Sequence, residues 1–237
     1  MSACVPLRAI FFDAGNTLVR IDYAAIADAL AARGVRTTPE DLMRAEWKAR
    51  VRLDADVFAT GEVASTEARA THNRYLAYVL EGVGVTDPAL VDAMDEWRRG
   101  HNQPLGLWTA PEPDAAPALR LARESGLRTG VISNSNGSIK RILTRLGLLP
   151  LVDFALDSSE EGVEKPQPAI FERALARAGV VAAEAAYVGD LYSIDVLGAR
   201  RVGLRAVLLD PGGCWGGRDC PTAGSVLGAV KGLLACT

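Results

Sequence analysis

AIFFDAGNTLV, residues 9–19, sets four apolar residues directly ahead of an aspartate and follows Asp13 with Ala14, Gly15, Asn16 and Thr17. The apolar run lacks the polar alternation of a half-exposed strand, so it reads as a strand covered on both faces and ending on a carboxylate. Four further runs carry the same signature: RTGVISN (128–134), VDFALD (152–157), AAYVGD (185–190) and RAVLLD (205–210). Helical periodicity separates them, over 113–125, 136–146, 168–178, 193–202 and 222–234. In the third of these, Pro168 suits the first helical position, and Ile170, Phe171, Ala174, Leu175 and Ala178 keep helical spacing. Alternating strand and helix predict an α/β fold built on a doubly wound parallel sheet.

Residues 20–104 contain no good strand. Tyr23, Ile26, Ala27 and Leu30 share one helical face. Thr38, Pro39 and Asp41 open a helix through about residue 54, and further helices are expected near 65–81 and 87–99. A parallel crossover needs only about a dozen residues. The chain therefore divides into an α/β core, residues 1–19 and 105–237, and a helical cap, residues 20–104, inserted just after Asp13.

Of 237 residues, 49% are hydrophobic and 23% charged, enough apolar content for a packed core. A formal charge of -3 provides no basic field, so no nucleic-acid partner is expected. No apolar run approaches a signal peptide or a membrane span, so no membrane association is expected either. Cys4, Cys214, Cys220 and Cys236 lack the paired spacing of a zinc site and read as free thiols of a reducing, cytoplasmic compartment. Gly-rich PGGCWGGRDC (211–220) lacks the Lys-Ser or Lys-Thr ending of a phosphate-binding loop and reads as a surface loop.

In open parallel sheets, ligands bind beyond the carboxyl ends of the strands, where strand order reverses. Strand ends in this chain carry Asp13, Ser133 and Asp190, and Lys165 stands in the EKPQP loop after the third strand. Two carboxylates brought together need a positive charge between them, and an oxygen-only pair suits Mg²⁺. A lysine and a serine beside them would hold phosphate oxygens. Asp13 could then attack phosphorus and form an aspartyl-phosphate.

FFDAGNTL, VISNS, EKPQPAIF and GDLYSID, taken in order, resemble the four motifs of the haloacid dehalogenase (HAD) superfamily, with the insertion placed where the C1 cap of that family lies. The resemblance implies Asp13 as nucleophile, Ser133 and Asn134 as substrate-binding residues, and Lys165 as the balancing cation. It also implies Mg²⁺ held by Asp13, Asp190 and the backbone carbonyl of Gly15, with Asp195 supporting the metal's waters. The expected substrate is a small phosphorylated metabolite.

Phosphatases of that family carry a second aspartate two residues after the nucleophile, where this chain has Gly15. Proton transfer by such a group typically contributes about 10² to 10⁴ in rate. Three readings follow. The chain is a phosphatase for leaving groups that need no proton, or one that uses a cap acid. It is alternatively similar to phosphonatases, with Lys48, the only lysine between residues 20 and 104, forming a Schiff base. Or it binds ligand without turnover. Haloacid dehalogenation fits less well, because that branch dispenses with Mg²⁺ whereas GDLYSID keeps the acidic metal motif. Of the two cap histidines, His72 and His101, the second is the better substitute acid. Trp47 and Trp97 are expected in the core of the cap.

Overall fold

A computed structural model describes residues 5–60 and 64–235; Cys4 and Cys236 lie outside them, and Cys214 and Cys220 are free thiols. The chain enters through β1 (Ala9–Phe12) and β2 (Val19–Ile21), then leaves the core for α1 (Tyr23–Ala31), α2 (Pro39–Leu53), α3 (Arg69–Gly82) and α4 (Pro88–Gly100). It returns through β3 (Trp108–Pro111), α5 (Ala115–Glu124), β4 (Arg128–Ser133), α6 (Ile139–Arg145) and β5 (Phe154–Asp157). α7 (Ser158–Glu161), α8 (Pro168–Ala178), β6 (Ala185–Gly189), α9 (Leu197–Arg201), β7 (Arg205–Leu209), β8 (Thr222–Ala223) and α10 (Val226–Ala235) complete it.

Six parallel strands lie in the order β5-β4-β1-β6-β7-β8, so the winding reverses on either side of β1. Alternate residues of β1 serve opposite faces, and both faces are covered. Ile10 and Phe12 join Leu119 of α5, Ile142 of α6 and Val230 of α10, while Ala9 and Phe11 join Phe171 of α8 and Ala199 of α9. Burial on both sides explains why these strands show no alternation in the sequence. The inserted helices α1–α4, the region read as cap, share a separate apolar core centred on Leu30, Leu42, Leu80 and Met94. Thr38 caps α2 by accepting a hydrogen bond from the Asp41 N–H at 3.1 Å and donating to its carboxylate at 2.7 Å.

Several expectations need correction. A short antiparallel pair, β2 with β3, was not expected: β2 runs into the start of the region read as cap, 20–104, and β3 follows its end. β8 falls inside the stretch read as helix 222–234, because a two-residue edge strand is too short to impose a period. Residues 192–196 form a wide π-type turn ahead of α9, and a second such turn, 54–58, extends α2. The 211–220 loop is anchored rather than purely superficial. Trp215 is buried in the core, and the Asp210 carboxylate accepts from the Cys214 and Trp215 N–H groups at 2.7 and 3.2 Å. Among the described residues no helix is long and apolar enough to cross a membrane.

Candidate active site

β1, β4 and β6 deliver their last side chains to the crevice where strand order reverses. Asp13 continues the ladder by donating its N–H to the Val188 carbonyl at 2.8 Å, which fixes its carboxylate above the sheet edge. Carboxylate oxygens of Asp13, Asp190 and Asp195 lie within 4.8 Å of one another, and all three residues are buried. Lys165 reaches them from the loop ahead of α8. Its Nζ donates to Asp13 Oδ1 at 2.5 Å, to Asp195 Oδ1 at 2.8 Å and to the Tyr187 hydroxyl at 2.9 Å.

Backbone clamps hold these groups in place. Asn134 accepts from the Lys165 N–H at 2.8 Å and donates to the Lys165 carbonyl at 2.9 Å, so it braces the lysine from behind as well as lining the cavity. Asp195 Oδ2 accepts from the N–H groups of Asp190 and Leu191 at 3.1 and 2.9 Å. That approach requires glycine at the end of β6: a Cβ on Gly189 would sit 2.5 Å from Asp195 Cγ.

Lys165 serves Asp13 and Asp195 here, and Asp190 lies beside Arg50, so acids outnumber cations. Burial is the largest influence on Asp13 and outweighs the Lys165 ammonium, lifting its carboxyl from 3.8 to about 6, with Asp195 adding to the rise. Asp190 is also pushed up, by burial first, against the opposing pull of Arg50. Lys165 is held above its ordinary range, because Asp13 and Asp195 together outweigh its own burial. A pocket of oxygen donors with excess negative charge, and carboxyls that resist ionisation while it is uncompensated, fits a hard divalent cation.

The cap contributes a second polar cluster. Glu46 of α2, fully buried, accepts from Arg50 Nε at 2.8 Å and from the hydroxyls of Tyr75 and Tyr23 at 2.5 and 3.2 Å. Arg50 extends onward to Asp190, with Nη1 3.1 Å from Oδ2. Asn16, in the left-handed region at φ 52, donates to Tyr75 and Asp190 at 3.1 and 3.4 Å. At the end of α2, Asp54 accepts from the Ser193 N–H and hydroxyl at 2.9 and 3.0 Å. Core and cap thereby enclose a cavity of about 330 Å³.

Asp13, Gly15, Ser133, Asn134, Lys165, Asp190 and Asp195 all line this cavity. Two cap candidates do not. Lys48 is exposed on α2, and His101 packs its ring on Trp97, centroids 4.7 Å apart, away from the cavity. The cavity takes His72 and Trp108 instead. Trp97 packs against the cap core as expected, whereas Trp47 lies against the loop after β7, where a Cβ on Gly212 would meet its ring at 2.6 Å. Sequence reading passed over Glu46, Arg50, Tyr75, Trp108 and Tyr187. One signal was available: Leu42, Ala45, Ala49 and Leu53 mark the buried stripe of α2, and Glu46 and Arg50 fall on it four residues apart.

Known proteins place this geometry. Residues 7–203 match the family model described as haloacid dehalogenase-like hydrolase. The chain is 30% identical over 227 residues to haloacid dehalogenase-like hydrolase domain-containing protein 3 of Danio rerio, covering 87% of this chain and 86% of the relative. It is 28% identical over 209 residues to glyceraldehyde 3-phosphate phosphatase of Methanopyrus kandleri, covering 87% and 85%. Among solved structures, the 2-haloacid dehalogenase of Pseudomonas syringae pv. Tomato DC3000 superposes with a TM-score of 0.57 at 28% identity, over 97% of this chain and 98% of that one. The six-stranded parallel sheet, the acids at its strand ends and these similarities agree, and the chain belongs to the haloacid dehalogenase-like hydrolase family of enzymes.

Proposed function

We propose that the protein is a Mg²⁺-dependent phosphatase that releases phosphate from a small phosphorylated metabolite through an aspartyl-phosphate on Asp13. The observation that carries this reading is the convergence of Asp13, Asp190 and Asp195 within 4.8 Å, with Lys165 bonded to two of them. A phosphoryl group that arrives with a dication gives this surplus of acids its counter-charge. The Methanopyrus kandleri relative, a glyceraldehyde 3-phosphate phosphatase, supports the substrate class.

Asp13, Asp190 and the Gly15 carbonyl would hold the Mg²⁺, with Asp195 supporting its waters. The ion supplies charge compensation for the phosphoryl oxygens and for the acids around them. Asp13 Oδ attacks phosphorus, and the bond from phosphorus to the leaving oxygen breaks. Lys165 stays paired to Asp13 and Asp195 and offsets the charge that gathers on the phosphoryl oxygens. Ser133 makes only a 3.3 Å bond to the Asn134 carbonyl, so its hydroxyl is available to turn toward a phosphoryl oxygen. Water then attacks the phosphorus, and Asp13 departs as carboxylate. A phosphonate-cleaving reading would need an amine at the substrate, and Lys48 does not line the cavity.

Acetyl phosphate and p-nitrophenyl phosphate, assayed with and without Mg²⁺, test the reading. Cleavage that requires Mg²⁺ and disappears in Asp13→Asn is expected. No cleavage of either substrate by folded, Mg²⁺-loaded protein would overturn it.

A further inference from the structure

Trp108 opens β3, where the chain returns from the cap to the core. Its pyrrole edge lies over Gly15: a Cβ built on that glycine would be 3.1 Å from Nε1 and 3.2 Å from Cδ1. The indole therefore occupies the space into which a side chain at position 15 would grow. Its ring is held there by stacking on Tyr75, at 6.1 Å between centroids and 10° between planes. Tyr75 is itself fixed by its 2.5 Å bond to Glu46. Among the described residues nothing accepts the Trp108 N–H, and the ring borders the cavity that Asp13 also lines.

We propose that Trp108 is the leaving-group residue of this site: its indole N–H donates a hydrogen bond to the departing oxygen, so the enzyme selects phosphate esters and anhydrides whose leaving oxygen departs as an anion, namely acyl, enol and aryl phosphates. The inference rests on the phosphatase reading above and narrows its substrate class. An indole N–H is a donor only and does not surrender its proton near neutral pH. The electron pair of the broken P–O bond thus stays on the leaving oxygen, which departs as carboxylate, enolate or aryloxide. Any proton it later gains comes from water. The adjoining Trp108 and Tyr75 rings add an apolar wall suited to a planar leaving group.

Single-turnover kinetics with enzyme in excess and Mg²⁺ present isolate the transfer to Asp13. For the wild type, the rate constant is expected to fall steeply from p-nitrophenyl phosphate to phenyl phosphate to ethyl phosphate. Trp108→Phe keeps an aromatic ring beside Tyr75 and removes the N–H donor together with the pyrrole ring that carries it. It should slow p-nitrophenyl phosphate about threefold to tenfold, the worth of one hydrogen bond of about 0.5–1.5 kcal/mol, and slow phenyl phosphate more, because more charge gathers on its oxygen. Equal rates for aryl and ethyl phosphates in the wild type would overturn the inference while leaving the phosphatase reading intact. A Trp108→Phe protein matching the wild type within twofold on both aryl substrates would do the same. If Trp108→Phe fails to fold, the wild-type series decides alone. Absence of transfer from every substrate, acetyl phosphate included, would overturn the phosphatase reading and this inference with it.

Discussion

Two buried ionic clusters meet at Asp190, and they differ in one respect. The cap cluster is balanced: Glu46 and Arg50 cancel, and two tyrosine hydroxyls and Asn16 complete the acceptor needs of the carboxylate. The core cluster is not. Asp13 and Asp195 share the single ammonium of Lys165, and Asp190 has only the Arg50 guanidinium that Glu46 already pairs. A balanced buried network rigidifies the part of the fold that holds it. An unbalanced one stores a demand for a cation, at a cost in stability that appears as carboxyls reluctant to ionise. The comparison assigns the cap cluster to architecture and the core cluster to chemistry.

The largest expected effect lies on the chemical side. Asp13→Asn should lower p-nitrophenyl phosphate turnover at least about 10³-fold, since it removes the attacking oxygen; mass spectrometry should find no phosphorylated protein. Residual phosphoenzyme in this variant would move the nucleophile elsewhere.

Next come two substitutions that should part company. Glu46→Ala leaves the Arg50 guanidinium with Asp190 alone and takes the acceptor from two tyrosine hydroxyls, and breaking a buried pair in this way costs about 3–5 kcal/mol, read as a lower urea midpoint. Asp190→Asn relieves the crowding with Asp13 and Asp195 but also takes one partner from Arg50, which keeps Glu46, so the metal-free protein should lose less stability than Glu46→Ala, while Mg²⁺ binding measured by calorimetry should be lost. If both variants lose stability alike, the distinction between the clusters fails.

Smaller is the pH response of the metal-free protein. Asp13 holds its proton up to about pH 6 when folded and only to about 3.8 when unfolded. Between these values the native state binds more protons, so stability is full below about pH 4 and is lost as pH rises through about 6. The loss is on the order of 2–3 kcal/mol. Mg²⁺ pairs with the ionised form and should flatten the decline. Urea midpoints across this range, with and without the ion, check it; a rising apo curve would contradict the unbalanced charge.

Gly15→Asp alone should raise ethyl phosphate turnover by less than about threefold, because Trp108 occupies the space. Gly15→Asp combined with Trp108→Ala should gain tenfold or more, toward the lower end of what a positioned acid contributes, about 10². The smallest effect belongs to the latch between the parts. Ser193→Ala removes one of two hydrogen bonds to Asp54 and should cost about 1 kcal/mol.

The core and its strand-end residues were legible in the chain because their determinants are local. A strand buried on both faces must be apolar throughout, and a parallel sheet puts its ligand groups at the carboxyl ends. Asp13, Ser133 and Asp190 could thus be assigned to one crevice from three separate segments. Lys165 was legible as part of a motif, but its bonds to Asp195 and Tyr187 were not. The cap was different. Its helices could be read from period and capping, yet which face met the core could not, so Lys48 and His101 were favoured over residues that line the cavity.

What the sequence by itself determined was therefore the doubly wound parallel sheet, the run of helices between its first two core strands and the identity of the acids at the strand ends. Only the tertiary structure decided that Arg50 reaches Asp190 and that an indole from residue 108 fills the space left by Gly15. The physical reason is reach: periodicity reports on neighbours within a turn or a strand, whereas these contacts depend on how two separately packed units face each other across a cavity.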